Sequence, residues 1–542
     1  MADFPLLNEA SLVMIPGATK EGKVYSQVPT DGSGDFTFTR STSATRVNEA
    51  GNIEKGYENL LLQSNSFDTT WQLQNGADIT PNHSGYDGTN DAWYLYKNTG
   101  TTTQLIKQSI SSTGVQTFSF YAKAEELEWV RLLWTGSTGG RNHFHLVGDG
   151  DFGVGQNIVS RNIEAVGNGW YKCSTTINDS VNLIQILPAS GDNNVSGTTG
   201  GIYIQDAQLN QGLVAYPYLE TTTAPVYGGL QSDQPRLDYT DATCPSLLLE
   251  ESRTNLFNHS EYINNSSTWA TDGCDGFLTT DVLSPEGKYN AIEIIQDTSF
   301  GNHWIRQGFN TSVSGGLYTQ SVYLKRKNRD NVTLRTLNTT PAELVSFNLF
   351  DGTHNGGEHW FIKDAGDGWY RCGVTSTQYT GSALFYIYAG GSGNYTGDGI
   401  TGVYAYGAQA EQGSYPSSYI PTYGSAQTRA AETTTSTFNS SSTGTISVSL
   451  GKVSEDYFTV LGESFEANAT RNDIAIAYSP TALKVSLNGA IVVNATGTYD
   501  TSSLSSLQLG HDNGSDQLGG GVENLIMFND FLTDTELNAI TV

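Results

Sequence analysis

Tryptophan and arginine side chains occur together in one segment whose spacing suits the recognition of a sugar. In EWVRLLW, strand alternation places Trp129 and Arg131 on one face and Trp134 on the other, and GRNHFH adds Arg141 and His143. Sugars present C–H faces that stack on aromatic rings, and hydroxyl groups that bind polar side chains. The sequence therefore predicts carbohydrate contacts from these five residues.

A second segment with the same residue types lies about 170 residues further along the chain. NHWIRQ supplies Trp304 and Arg306, and GGEHWF supplies His359 and Trp360. These four residues are predicted carbohydrate contacts for the same reason. For each candidate in the two segments, a role in the hydrophobic core is the alternative.

Four other tryptophans are predicted to belong to the core. Trp170 and Trp369 occur in two copies of the same motif, GWYKC and GWYRC, and Trp71 and Trp269 also lie in matching segments. Residues that both copies keep are expected to serve packing, which leaves the unrepeated aromatics as the better site candidates.

Catalytic and metal-binding motifs are weak in this sequence. His143 and His145 share a strand face, but no third ligand is in view, and the aspartates of GDGDFG lack the register of an EF-hand. No G-x-S-x-G elbow or phosphate-binding loop is present, and no motif singles out a pair of carboxylates for glycan hydrolysis. We therefore expect a protein that is not an enzyme and has no cofactor.

Composition and charge narrow the class of protein. The chain has 542 residues, is rich in Gly, Thr, Ser, Asn and Tyr, and carries a formal net charge of −28. This charge argues against binding to nucleic acid or to anionic membranes, and no apolar run is long enough for a membrane insertion. The start, MADFPLLNEASLV, has an acid where a signal peptide has bases, so we expect synthesis in a cytoplasm.

The four cysteines are too far apart for a metal knuckle or a small disulfide framework, and buried free thiols are expected.

Four pairs of matching segments reveal an internal duplication. Their offsets lie between 198 and 202 residues, and the aligned positions are Trp71 with Trp269, Tyr121 with Tyr323, Trp170 with Trp369, and Gln208 with Gln409. Such a nearly constant offset indicates two copies of one module. Short alternating runs separated by Gly, Asn and Asp predict an all-β chain of tandem antiparallel β-sandwiches, the two copies being jelly rolls.

The pattern of alternation predicts the domain boundaries. Jelly-roll module 1 is expected at 57–225, jelly-roll module 2 at 253–430, and a third sandwich at 431–542. In the third sandwich Asn488-Gly489 predicts a two-residue hairpin, and Thr533 with Glu536 predicts a capping box at the start of a short helix.

The motifs FTFTRSTSATRVNEAGNIE, QPRLDYTDATCPSLLLEESRTNL, GDGWYRC and GSAQTRAAE together resemble structural proteins of the virion in tailed bacteriophages. The resemblance covers nearly the whole chain. It implies modules similar to carbohydrate-binding jelly rolls and a final domain similar to the laminin-G/concanavalin fold. It also implies a structural calcium ion at Asp206, although the second copy has Gly407 at the matching position.

In such relatives the first two of these motifs are close together, whereas here module 1 separates them. We therefore expect residues 1–56 and 226–252 to pair as a small N-terminal β base that anchors the chain to the virion. The arginines of this base are hypothesised to pair with acids such as Glu54, Asp238 or Glu250, which would lock the two halves or adjacent subunits together. A solvated strand face is the alternative for these four residues, Arg40, Arg46, Arg236 and Arg253.

From these features we expect a protein of the virion surface, a tail fibre or receptor-binding adhesin that displays carbohydrate-binding modules to host glycans. The resemblance implies a homotrimer attached to other virion proteins through its N-terminal region. The alternatives are a decoration or head-fibre protein of the capsid and a tailspike depolymerase.

Overall fold

The structure of the chain is a computed structural model that describes residues 5–17, 19–20, 22–98, 103–240, 244–311, 315–378, 381–437, 441–451, 457–467, 469, 471–501, 506–509, 511–512, 516–517 and 520–542. In this part of the chain almost all regular structure is antiparallel β-strand, which confirms the expected all-β class. The exceptions are a 3-10 helix, Pro5–Glu9, and helix α1, Asp534–Ile540. No helix among these residues is long and apolar enough to span a membrane.

The strands are numbered in chain order. Those before and within module 1 are β1 (Leu12–Met14), β2 (Thr19–Lys20), β3 (Lys23–Val24), β4 (Phe36–Thr39), β5 (Thr45–Val47), β6 (Ile53–Lys55), β7 (Tyr57–Asn59), β8 (Gln72–Gln74), β9 (Ala77–His83), β10 (Ala92–Lys97), β11 (Leu105–Ala124), β12 (Trp129–Gly136), β13 (Gly140–His145), β14 (Asp151–Gln156), β15 (Ser160–Gly167), β16 (Trp170–Ala189) and β17 (Gly200–Gln211). Those of the second connection and module 2 are β18 (Val226–Gly228), β19 (Arg236–Asp238), β20 (Ser246–Leu249), β21 (Arg253–Asn255), β22 (Ala270–Asp272), β23 (Cys274–Leu278), β24 (Ile292–Gln296), β25 (Phe300–Gly301), β26 (Trp304–Thr311), β27 (Gly316–Arg326), β28 (Asn331–Leu337), β29 (Thr339–Thr340), β30 (Leu344–Asn348), β31 (His354–Asn355), β32 (Trp360–Asp364), β33 (Trp369–Gln378), β34 (Gly381–Tyr388), β35 (Tyr395–Thr396) and β36 (Gly402–Gln412). The remainder are β37 (Gln427–Arg429), β38 (Thr433–Thr437), β39 (Gly444–Leu450), β40 (Tyr457–Val460), β41 (Glu463–Glu466), β42 (Asn472–Ser479), β43 (Ala482–Leu487), β44 (Ala490–Thr496), β45 (Ser506–Leu509), β46 (His511–Asp512), β47 (Asp516–Gln517) and β48 (Gly520–Phe528).

Module 1 is a two-layered sandwich in which β11 and β16 take part in both layers. One layer has the order β9-β10-β17-β11-β16-β15, and the other has the order β8-β11-β16-β12-β13-β14. The two long strands change layer where their pairing register shifts, between Ser109 and Ser112. Inward-facing aromatic and aliphatic side chains of both layers form one hydrophobic core.

Module 2 repeats this arrangement with the long strands divided. Its layers have the orders β23-β24-β36-β27-β33-β32 and β22-β26-β34-β28-β30-β31. Strands β26 and β27 occupy the places of the two halves of β11, and β34 and β33 occupy those of β16. The identical strand orders support the duplication that the sequence offsets predict.

The third sandwich combines strands from three distant parts of the chain. One sheet has the order β19-β20-β48-β39-β42-β43-β44, with β1 also paired to β48, and the other has the order β2-β3-β4-β38-β45. Its core joins Met14 and Phe36 near the N-terminus with Leu249 and Met527. The expected base and the expected C-terminal domain therefore share both sheets, and residue 431 does not separate two units, because apolar side chains of β1, β3, β4 and β20 are buried against those of β39, β42, β43 and β48.

Several local predictions are confirmed. Asn488 and Gly489 both have positive φ, 48° and 83°, in the turn between β43 and β44, as a two-residue hairpin requires. Thr533 and Glu536 form the capping box of α1. The four repeated tryptophans, Trp71, Trp170, Trp269 and Trp369, are all buried. Three of the cysteines are buried free thiols, whereas Cys244 is exposed.

A cluster of buried charges joins the third sandwich to the end of module 2. Glu432 binds Arg40, at 2.7 Å between Oε1 and Nη1, and also pairs with Arg236, whose Nη2 lies 2.8 Å from Glu250 Oε2. Arg429 Nη1 lies 3.0 Å from the same Glu250 oxygen. Burial alone would raise the pKa of Glu250, but the charges of Arg429 and Arg236 hold that pKa well below its ordinary value. We call these five residues the buried arginine cluster.

The hypothesis about the arginines of the base is confirmed for some pairs and needs correction for others. Arg46 pairs with Glu54 at 2.8 Å across the β5–β6 hairpin, and the Arg236–Glu250 pair also forms. Arg40, however, follows the end of β4 and is buried, whereas Arg46 lies in β5, beyond a bend of the chain, and is partly exposed. Its acid is the unforeseen Glu432.

Arg253 also differs from expectation. It pairs with Glu251, two residues away, and its guanidinium lies 5.0 Å from the centroid of the Tyr415 ring. It therefore holds strand β21 against the end of module 2 rather than joining the two halves of the base.

A second group of buried charges lies between the modules. Lys55 Nζ is 2.5 Å from Glu261 Oε1 and 3.1 Å from Glu286 Oε2, and it lies 5.5 Å from the ring centroid of Tyr216, at the end of module 1. Burial opposes the charge on Lys55, but the two glutamates raise its pKa well above the ordinary value. The backbone N–H of Val115 donates to the carbonyl of Tyr423 at 2.8 Å. The modules therefore pack against one another and are not independent units on a string.

We expect Glu432→Gln to lower the free energy of unfolding of the third sandwich by about 3–5 kcal/mol, because it leaves Arg40 and Arg236 buried without their shared carboxylate. Chemical denaturation followed by backbone hydrogen exchange in β39, β42 and β48 measures this change, because all nine tryptophans lie in the two modules and do not report on the third sandwich.

The matched control is Glu54→Gln, which removes the partly exposed partner of Arg46 and should cost about 1 kcal/mol or less. Equal effects of the two substitutions would contradict a structural role for the buried arginine cluster.

Candidate glycan-binding faces

The outer surface of one layer of module 2 carries aromatic and cationic side chains side by side. In β26, Ile305 points into the core while Trp304 and Arg306 point outward, and in β34 the outward positions are Tyr386 and Tyr388. Arg335 points outward from β28, opposite Tyr386 in the ladder. We call these five residues the module 2 face.

The tyrosines of this face hold its arginines in place. Arg306 donates to the Tyr386 hydroxyl at 3.0 Å, and Arg335 lies 3.4 Å from the Tyr388 hydroxyl. The guanidinium of Arg306 lies 5.1 Å from the Trp304 ring centroid and 5.4 Å from that of Tyr386. Trp304 and the two arginines are partly exposed, and the tyrosines are buried beneath them.

This arrangement suits a sugar ring. The exposed indole of Trp304 offers a plane for the C–H groups of a pyranose, and the guanidinium groups donate to hydroxyl or carboxylate oxygens. Because Tyr386 and Tyr388 restrict the arginine side chains, less conformational entropy is lost when a ligand binds.

Two of the predicted contacts in this module lie elsewhere. His359 Nδ1 is 3.2 Å from Glu343 Oε1, and Trp360 stacks on His354 with ring centroids 3.2 Å apart. Both residues lie at the edge where β32 of one layer approaches β31 of the other, so they do not join Trp304 and Arg306.

In module 1 the structure brings four of the predicted residues together on the corresponding layer. Strands β12 and β13 pair so that Arg131 lies opposite His143, and Trp129 lies opposite His145 and stacks on it at 4.3 Å between ring centroids. Arg141 is the next outward residue of β13, opposite Leu133. We call Trp129, Arg131, Arg141 and His143 the module 1 face.

The predicted carbohydrate contact at Trp134 is wrong. This residue is 1% exposed and belongs to the hydrophobic core of module 1 with Val130 and Leu132. The alternation of β12 turns this side chain inward, so its ring cannot stack on a sugar.

The two faces correspond position by position through their ladders. Arg131 pairs with Leu187 of β16, and Thr333 pairs with Tyr388 of β34. Leu133 pairs with Gln185, and Arg335 pairs with Tyr386. Arg131 therefore corresponds to Thr333, and Leu133 corresponds to Arg335. The other matching positions are Lys107 with Arg306, Leu105 with Trp304, Gln185 with Tyr386, and Leu187 with Tyr388. At these matching positions the aromatic residues occur in module 2, whereas the aromatic residue of the module 1 face, Trp129, lies at another position of its ladder, beside Arg131.

Three residues of the module 2 face were not predicted from the sequence. Arg335 lies in NVTLRTL, and Tyr386 and Tyr388 lie in ALFYIYAG. Their alternation with Leu334, Phe385 and Ile387 placed them on one side of a strand, but the pattern alone did not show which strands lie beside β26.

Asp206 lies in an acidic part of module 1. Its carboxylate accepts a hydrogen bond from the Tyr86 hydroxyl at 2.9 Å. Asp206 has a positive φ of 53°, and Gly407, at the matching bulge in module 2, has a positive φ of 59°. Burial, reinforced by the charges of Asp91 and Asp87, raises the pKa of Asp206 to about 7 despite the hydrogen bond from Tyr86.

The predicted calcium site finds no support in this geometry. Within the described ranges, no group of three or more His, Cys, Asp or Glu side chains is arranged to hold a metal ion, either at Asp206 or at the pair His143 and His145. Calcium binding stays a prediction.

Comparisons with known proteins add little. No protein-family model matches the chain, and no curated protein matches it. The tandem of two family 22 carbohydrate-binding modules from Paenibacillus barcinonensis Xyn10C matches with 11% identity and a TM-score of 0.21, over 66% of this chain and 97% of that one. An exo-beta-1,3-galactanase from Phanerochaete chrysosporium, solved with beta-1,3-galactotriose, matches with 11% identity and a TM-score of 0.17, over 73% of this chain and 99% of that one. At such TM-scores neither likeness carries an argument about function.

We expect Asp206→Asn to abolish the loss of stability that module 1 of the native protein shows as the pH rises. The raised pKa of Asp206 makes the folded native protein hold a proton that the unfolded chain has already lost. The free energy of unfolding of the native protein should therefore fall by about 2–4 kcal/mol between pH 4 and pH 8. The amide keeps the acceptor for Tyr86, tolerates positive φ and does not ionise.

Thermal unfolding of both proteins at pH 5 and pH 8 measures the effect. The variant should gain most at pH 8, and an identical pH dependence in the two proteins would show that Asp206 ionises normally.

Proposed function

We propose that this chain is a glycan-binding protein of the virion surface in a tailed bacteriophage, acting as a tail fibre or receptor-binding adhesin without enzymatic activity. The module 2 face is the observation that carries the glycan-binding part of the proposal. The sequence motifs shared with virion structural proteins support the viral setting, and they also support a homotrimer attached to other virion proteins.

The chemistry of the module 2 face supports a sugar as its ligand. Arg306 and Arg335 donate to tyrosine hydroxyls, whereas the three arginines of the buried arginine cluster pair with carboxylates. Partly exposed guanidinium groups beside an accessible indole are the groups that polysaccharide hydroxyls and C–H faces require.

The acidic character of the rest of the protein also supports an adhesin. With a formal net charge of −28, the molecule is repelled by anionic surfaces. Specific contacts at a few surface positions then decide where it binds, because non-specific electrostatic adsorption to acidic cell envelopes is suppressed.

We expect Trp304→Ala to abolish retention on the glycans that the native chain binds in an array of bacterial surface polysaccharides. Loss of the stacking surface should weaken binding at least about tenfold, and Tyr386→Phe, which only releases Arg306 from its hydroxyl partner, should weaken it about two- to fivefold.

Phe350→Ala is the matched control, because Phe350 is an aromatic residue of the same module that is 72% exposed and lies in the turn after β30. Its binding should equal that of the native chain. Binding that survives Trp304→Ala would move the glycan site away from the module 2 face.

Labelling of intact virions with an antibody against the third sandwich should mark the tail in negative-stain images. Labelling restricted to the capsid shell would contradict the adhesin proposal and would favour a protein that decorates the capsid.

A further inference from the structure

The module 1 face contains buried nitrogen atoms without hydrogen-bond partners. The Nε atoms of Arg131 and Arg141 and the Nε2 atom of His143 are shielded from solvent and have no hydrogen-bond partner in the described part of the chain. His143 is 0% exposed, and its other ring nitrogen, Nδ1, lies 2.9 Å from the carbonyl oxygen of Val154. Three unsatisfied nitrogens on one side of a two-stranded ladder are unusual, because buried polar groups are normally paired.

The surroundings of these nitrogens are positively charged. Burial, followed by the charge of Arg141, lowers the pKa of Arg131, which shows that the two guanidinium groups repel one another. The acid that acts on His143 is Asp192, whose carboxylate already accepts the backbone N–H of Val154 at 2.7 Å. Among the described residues no ion pair joins Arg131 or Arg141 to a carboxylate, although the chain has 55 acidic and 27 basic residues.

The fold does not need these charges. Thr333 occupies the position of Arg131 in module 2, and Leu344, opposite Arg335, occupies that of Arg141. Module 2 has the same strand order as module 1 and its own hydrophobic core, so a sandwich of this kind forms with an uncharged pair at the two positions. The arginines therefore serve something other than folding.

We propose that the module 1 face binds an anionic group of an acidic polysaccharide, a carboxylate or a sulfate ester, and this inference rests on the proposed glycan-binding function. The fork of a guanidinium group matches the two oxygens of either anion, and an anion between Arg131 and Arg141 offsets their mutual repulsion. Trp129, held parallel to His145, offers the plane on which the ring of the acidic sugar stacks.

The test compares the native chain with the double variant Arg131→Thr and Arg141→Leu, which installs the residues that module 2 carries. Binding is measured by isothermal titration calorimetry with alginate as the carboxylate polymer, dextran sulfate as the sulfate polymer and dextran as the neutral polymer. We expect the native chain to bind alginate, dextran sulfate or both, with an affinity that falls as salt is added, and the variant to bind at least about 30-fold more weakly. Which polymer binds identifies the anion.

The matched control is Lys123→Thr with Lys172→Leu, which removes two positive charges from the other layer of module 1. This control should bind the acidic polymers like the native chain. An equal loss of affinity in both double variants would show that only net charge matters and would overturn the proposal. The proposal would also be overturned if the arginine variant kept the native affinity, or if the native chain bound neither acidic polymer.

The two proposals fail separately in this design. Trp304→Ala should leave the binding of acidic polymers unchanged, and the arginine variant should keep the array profile that depends on Trp304. Loss of one profile without the other therefore shows which of the two faces has been misassigned.

Discussion

The pairing of opposite charges inside the buried arginine cluster is the constraint on which the arrangement of this chain depends. Glu432 lies between Arg40 and Arg236, and Glu250 lies between Arg236 and Arg429. Each ion loses its hydration on burial, and only its partners offset that loss. Because the partners come from segments far apart in sequence, the N-terminal strands, the β19–β20 hairpin and the end of module 2 must assemble together, and the cluster fixes their mutual position.

Duplication explains how one chain comes to carry two different faces. Both modules keep the same strand orders and bury the tryptophan of the GWY motif, Trp170 or Trp369, because these features determine whether a sandwich packs. Outward positions of the β12 and β28 ladders contribute little to packing and are free to differ. Module 2 therefore has an aromatic face around Trp304, while module 1 has a cationic face around Arg131.

The sequence was informative about features that are local or periodic. Strand alternation predicted the all-β class, the constant offset predicted the two modules, and Asn488-Gly489 predicted its hairpin. Alternation also distinguished the face of Trp129 from that of Trp134, although both were kept as candidates. It could not reveal that β4 pairs with β38 or that Arg40 binds Glu432, because such contacts span almost 400 residues and no periodicity encodes the partner.

The third sandwich can close only late during synthesis, because its strands come from distant parts of the chain. The hydroxyl groups of Thr39 and Thr433 lie 2.7 Å apart across a separation of 394 residues. At translation rates of about 5–20 residues per second, on the order of 20–80 s pass between the appearance of these two residues. Both jelly rolls have their own strands at hand within that interval, whereas β4, with its apolar Phe36 and Phe38, can pair only with β3 and waits for β38 on its other edge. A strand made early is thus among the last to be buried, and the nascent chain must keep it from pairing with its neighbours on the same polysome.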